Sequence, residues 1–154
     1  MYQNILVPLD GSKESEGVLP MIQDLPSLDG RLLLLRVIPP GEPVRSGQHT
    51  IMASEQEEGE RARALAYLKG LARQPGRLPD QLDCKVIVSR SVASAIVECA
   101  ARENVDLIVM YTHGRRSLTR LLMGSRASQV QRRAPMEVRV ITQGDLVEGQ
   151  TLTY

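Results

Sequence analysis

Apolar residues fall in five short runs, separated by longer segments of helical periodicity. The first run, Asn4 to Leu9 (NILVPL), ends at Asp10-Gly11-Ser12. Ser12 is placed to cap a helix reaching about Leu25, with Glu14 and Glu16 in its positive first turn. The second run, Arg31 to Ile38 (RLLLLRVI), is apolar without alternation, which predicts a strand covered on both faces. Pro39 to Ser54 follows as a long Pro- and Gly-rich connection, expected to be a loop and, leaving strand two at the ligand edge, a lid. A helix is predicted from about Glu55 to Arg73, with Leu65, Leu68 and Ala72 on one stripe and Ala64, Tyr67 and Leu71 beside it. Its acidic start and basic end suit the helix dipole, and Pro75-Gly76 stops it. The third strand runs from about Leu82 to Val88. Ser91 then caps a helix to about Arg102 that buries Ala93, Ile96, Val97 and Ala100 and ends at Asn104. Strand four is Asp106 to Met110, a helix starts at Ser125 and reaches about Arg133, and strand five is Glu137 to Ile141. The remainder, residues 143–154, reads as a polar, frayed tail to a domain spanning 1–142.

Alternation of this kind predicts an α/β fold: a doubly wound, five-stranded parallel sheet, Rossmann-like, with helices on both faces. Right-handed crossovers bring the C-terminal ends of the strands to one edge. Two of those ends carry unusual chemistry, Asp10 after strand one and His113-Gly114 after strand four. One ligand can use both only if strands one and four are neighbours, which requires the order 3-2-1-4-5.

Composition narrows the choice of ligand. The net charge is +1, so nothing global attracts nucleic acid or membrane, and with no Phe or Trp there is little aromatic platform for stacked bases. Cys84 and Cys99 fall in apolar runs and read as reduced core residues. No apolar run approaches the length of a bilayer span, and the N-terminus lacks a basic leader, so the expectation is a soluble, cytoplasmic protein. The positive charge is local. Between Asp106 and Glu137 there is no carboxylate but there are six arginines: Arg115, Arg116, Arg120, Arg126, Arg132 and Arg133. This segment lies where a parallel strand hands over to a helix, the place where open α/β sheets bind anions.

With these residues in view the chain resembles the small, single-domain universal stress proteins that carry an ATP-binding motif. The resemblance runs from about Tyr2 to Ile141. It rests on NILVPLDGS, on LLLLRVI and above all on the nucleotide motif Gly-x-x-Gly, nine residues, Gly-Ser, which reads here Tyr111-Thr112-His113-Gly114, Arg115 to Met123, Gly124-Ser125. Gly114 lets the backbone approach a ribose or phosphate, and Gly124 with Ser125 would sit at a helix N-terminus facing phosphates. The resemblance implies an adenine nucleotide alpha hydrolase-like fold that binds ATP or a related adenine nucleotide, with Mg2+ as a possible companion. It further implies a regulatory module in the stress response, with hydrolysis slow or absent. The implied site comprises Pro8, Leu9, Asp10 and Val37 on the first two strands, and Met110, Thr112, His113, Gly114 and Arg115 after the fourth. Gly124, Ser125 and Arg126 complete it. Asp10 would hold ribose hydroxyls or a metal, and Val37 would line the base.

Each of these positions has a plainer reading. Asp10 can simply cap an Asp-Gly turn. His113 reads as a hydrogen-bonding loop residue with no acid-base role, and Arg132 and Arg133 compensate a helix C-terminus. No catalytic set is visible. Tyr111 stands at the motif's first glycine. Where that position requires positive φ, tyrosine is a poor choice; where it only continues the strand, its ring packs beside the ribose or shields it. The alternative is a protein-interaction or chaperone-like module of the same fold, with Tyr111 closing the site. Strand five is the expected sheet edge, and the resemblance implies a homodimer through Glu137, Val138, Arg139, Val140 and Ile141. A two-fold at Val138 would set Glu137 opposite the partner's Arg139. The regulatory partner is unknown.

Overall fold

A computed structural model describes residues 2–23, 30–74, 78–113 and 125–148. Five strands form one parallel sheet: β1 (Asn4–Pro8), β2 (Arg31–Ile38), β5 (Leu82–Val88), β6 (Leu107–Tyr111) and β7 (Glu137–Ile141). Their order is β5-β2-β1-β6-β7, which is 3-2-1-4-5 in the order of those strands along the chain. The sheet therefore reverses its direction of growth between β1 and β6, where Ile5 pairs with Leu107 and Leu6 with Ile108.

Side-chain alternation splits the core into two layers. Ile5, Val7, Leu32, Leu34, Leu107 and Val109 face α2 (Val18–Gln23) and α3 (Ala53–Ala72). Leu6, Leu33, Leu35, Ile108 and Met110 face α4 (Val92–Arg102) and α5 (Ser125–Arg133). Continuous apolar strands follow directly, because each residue of β1, β2 and β6 has a covered face to enter. Ser91 caps α4 as expected, and Asn104 takes φ 53 just past its end. Cys84 and Cys99 are free thiols, and burial pushes both up. At the sheet's N-terminal edge the Asp106 carboxylate accepts from the Gln3 amide at 2.8 Å and from the Asn4 amide at 3.3 Å, locking β1 to β6.

Several sequence expectations need correction. The first helix does not run on from Ser12; α1 (Lys13–Glu16) ends at Gly17 and α2 begins at Val18. The break puts Pro20 in the first turn of a new helix, where its missing N–H costs nothing. The 39–54 connection is not structureless: β3 (Val44–Ser46) and β4 (His49–Ile51) form an exposed antiparallel hairpin around Gly47, which takes φ 63. In α3 the buried stripe is Ala64, Leu68 and Leu71, with Leu65 and Ala72 at its margins. The fourth sheet strand ends at Tyr111 rather than Met110. The tail is not frayed from its start, since α6 (Gln143–Glu148) follows β7. Thr142 and Asp145 cap it reciprocally: the Thr142 amide donates to Asp145 Oδ2 at 2.7 Å and the Asp145 amide to Thr142 Oγ1 at 3.4 Å. Leu146 packs onto the first core layer.

On β7, Arg139 Nε donates to Glu137 Oε1 at 2.9 Å within the same chain, and Nη2 donates to the Tyr2 hydroxyl at 2.7 Å. These two charges are thus already satisfied without a second chain.

Candidate functional site

A cavity of about 390 Å3 opens at the C-terminal edge of the sheet, over the β1/β6 reversal. Pro8, Leu9 and Asp10 reach it from the end of β1, and Arg36 and Val37 from β2. Met110, Tyr111, Thr112 and His113 arrive from β6 and the residues after it. Val92 and Ile96, one turn apart on α4, join Arg126 and Ala127 of the first turn of α5 on another wall, and Ser15 adds a hydroxyl. The cavity is thus apolar toward α4 and charged toward the strand ends.

Asp10 is the organising polar group. Its Oδ1 accepts from the Ser12 amide at 2.8 Å and from the Ser12 hydroxyl, the turn that also makes Ser12 the cap of α1. Gly11 supplies φ 88 for that turn, a conformation that L side chains resist. Asp10 Oδ2 lies 2.9 Å from His113 Nε2, so the ends of β1 and β6 are tied by side chains 103 residues apart. Burial alone would raise the Asp10 carboxyl, but the hydrogen bonds from Ser12 and His113 outweigh it and hold the group well below the usual carboxylate range. The site therefore presents a carboxylate at any physiological pH. Beneath it, burial, together with the Glu16 and Asp10 charges, pushes the Tyr67 phenol up to about 12.

Tyr111 does not take positive φ; it continues β6. Its ring packs on the first core layer, edge-on to His113 with ring centroids 4.8 Å apart, and its hydroxyl donates to Gln143 Oε1 at 2.8 Å. Val37 and Met110 belong to the other layer, so the tyrosine ring is turned toward α6 and away from them.

Eight of the twelve anticipated site residues line this one cavity: Pro8, Leu9, Asp10, Val37, Met110, Thr112, His113 and Arg126. Gly114, Arg115 and Gly124 lie outside the described residues, and Ser125 is described only as the first residue of α5. Arg36, Ser15, Val92, Ile96 and Ala127 were not anticipated as site residues. For Arg36 a signal existed, a charge late in an inner strand that is otherwise apolar after Arg31. Ile96 was legible as apolar, and only the end of the sheet turns that face of α4 into a cavity wall. Asp10, expected as a metal ligand, is the one carboxylate among the described residues lining the cavity. Its Oδ2 meets only His113, and among the described residues no group of three His, Cys, Asp or Glu side chains could hold an ion. Among the described residues, too, no helix is long and apolar enough to cross a membrane.

The fold and the position of its cavity define a doubly wound α/β domain with a cavity at its topological switch point, where folds of this class place their ligands. The family model for universal stress proteins matches residues 1–142, and the chain belongs to that family. Universal stress protein MJ0531 of Methanocaldococcus jannaschii is 30% identical over 147 residues, covering 92% of this chain and 82% of that protein. Among solved structures, hypothetical protein MJ0577 superposes with a TM-score of 0.71 at 22% identity, over 93% of this chain and 97% of that one. A universal stress protein in complex with cAMP gives 0.64 at 20% identity, over 92% and 97%. These two likenesses show the fold.

Proposed function

We propose that this universal stress protein binds an adenine nucleotide at the switch-point cavity and works as a nucleotide-dependent regulatory module, with hydrolysis slow or absent. The observation that carries the reading is the two-sided cavity. An apolar slot between Val37, Met110, Val92 and Ile96 suits a purine, and the Asp10 carboxylate beside it suits ribose hydroxyls. The first turn of α5 borders the same space, and a helix N-terminus favours phosphate. Gly114, Gly124 and Ser125 are assigned to the phosphates on the motif alone. The cAMP complex of a fold relative supports an adenine nucleotide in general; ATP is the form the motif favours.

The assembly is proposed as a homodimer through the free edge of β7, Glu137 to Ile141, since among the described strands β7 pairs only with β6. Because Glu137 and Arg139 already pair within the chain, this contact is proposed on backbone pairing along the free edge rather than on crossed ion pairs.

Protein purified without added ligand is expected to release adenine nucleotide on denaturation. Failing that, AMP or ATP at about 100 times its dissociation constant should add roughly 2.7 kcal/mol of stability. No released nucleotide and no thermal shift with either ligand, with or without magnesium, refutes the reading. A monomeric mass in sedimentation refutes the dimer.

A further inference from the structure

Asp10 and His113 are both accessible, with side chains 38% and 56% exposed, so burial fixes neither rotamer. What fixes Asp10 is its set of donors. Oδ1 accepts twice from Ser12, from the amide at 2.8 Å and from the hydroxyl, which occupies both lone pairs of that oxygen. Oδ2 accepts once, from His113 Nε2 at 2.9 Å, and keeps one lone pair. Ser15, which also borders the cavity, donates its hydroxyl proton to the Ser12 carbonyl at 2.9 Å. Whatever solvates the last lone pair in the free protein, a bound sugar that displaces it finds one acceptor there.

The two holds on Asp10 differ in what they fix. Ser12 lies two residues along the chain, and its turn grips one oxygen, about which the carboxylate can still rotate. His113 arrives from the end of β6 and grips the other oxygen, which sets the plane of the group and the direction of its remaining lone pair. An ionised carboxylate only accepts, so Nε2 carries the proton in this contact. The reach is short because β1 and β6 are paired neighbours.

From this geometry we infer that His113 is a positioning residue that aims the one open acceptor of Asp10 at the sugar, so that the site reads a single ribose hydroxyl instead of the 2′,3′ pair. The inference rests on the nucleotide reading above and adds to it which part of the sugar is recognised.

Calorimetric titration of the full chain with ATP, AMP and the 2′-deoxy and 3′-deoxy analogues of each, with magnesium throughout, tests it. One deoxy analogue should bind roughly ten- to a hundredfold more weakly than its parent nucleotide, the loss of one hydrogen bond to a charged group, and the other within about threefold. His113→Ala should bring the parent nucleotide and both analogues within about threefold of one another. His113→Gln, whose amide nitrogen reaches the place of Nε2, should restore much of the difference. A merely structural role would weaken all the ligands together and leave their ratios alone. Equal losses for the two analogues, no loss for either, or a difference that survives His113→Ala overturns the inference and leaves the nucleotide reading standing. No binding in either series overturns both. Should His113→Ala fail to melt cooperatively, His113→Asn decides: its amide is too short to reach Asp10, and a preserved difference there counts against the inference.

Discussion

Replacing Tyr111 by glycine, the residue the nucleotide motif carries at that place, tests whether its side chain obstructs the site or holds the fold. Three contributions disappear with the ring. The hydroxyl loses its 2.8 Å bond to Gln143, about 0.5–1.5 kcal/mol, and the edge-on contact with His113 accounts for a further ~0.5–1.5 kcal/mol. Glycine in a strand adds about 0.5–1 kcal/mol of chain entropy. The expected loss is about 1.5–4 kcal/mol, or roughly 3–16 °C in Tm for a chain of this length. Tyr111→Phe removes only the hydroxyl and should cost about 1 kcal/mol, with faster amide exchange across α6, because Gln143 is that helix's first residue. Thermal melts and hydrogen exchange on the three proteins read these numbers, and nucleotide titration reads the site. Since the ring is turned from Val37 and Met110, Tyr111→Gly should bind nucleotide within ~threefold of the parent. A glycine variant that binds tenfold or more tightly, or a phenylalanine variant with unaltered exchange in α6, would refute the reasoning.

Three other outcomes are expected. Gly30→Ala should cost at least ~2 kcal/mol in urea denaturation, because its Cβ would lie 1.8 Å from the Gln3 carbonyl oxygen; Gly70→Ala, with nothing within 4 Å, should stabilise α3 by about 0.5–1 kcal/mol. Asp106→Ala, which removes the acceptor of the Gln3 and Asn4 amides, should cost about 1.5–3 kcal/mol and leave nucleotide affinity unchanged. Asp10 is depressed in the folded state, so its contribution to stability is present above the unfolded carboxyl pKa of about 3.9 and is lost as pH falls below it. The stability difference between the parent and Asp10→Asn should therefore be flat above about pH 5 and shrink toward pH 3, and a difference that grows on acidification contradicts the assignment.

The five strands of the main sheet, their parallel pairing and their order followed from the chain alone, whereas the β3–β4 hairpin did not. Uninterrupted runs such as Leu32 to Leu35 demand cover on both faces, and a shared ligand demands that Asp10 and His113 meet. The cap of α6 was legible as well, since Thr142-x-x-Asp145 is a capping signature that a polar tail composition conceals. So was the break at Gly17, which Pro20 requires. What only the tertiary structure decided are facts about direction and distance. Alternation assigns the Tyr111 ring to one face of the sheet, but Gln143 and His113 receive it there only because α6 folds back and β1 lies beside β6. The Asp10–His113 bond joins two strand ends far apart in sequence, and no local pattern reports such a distance. Arg36 looks like an intrusion in an apolar strand until the fold lays its guanidinium beside the Gly11 turn at the cavity wall. Periodicity encodes which face a residue enters; what waits on that face is set by packing between elements, and there the chemistry of this site is determined.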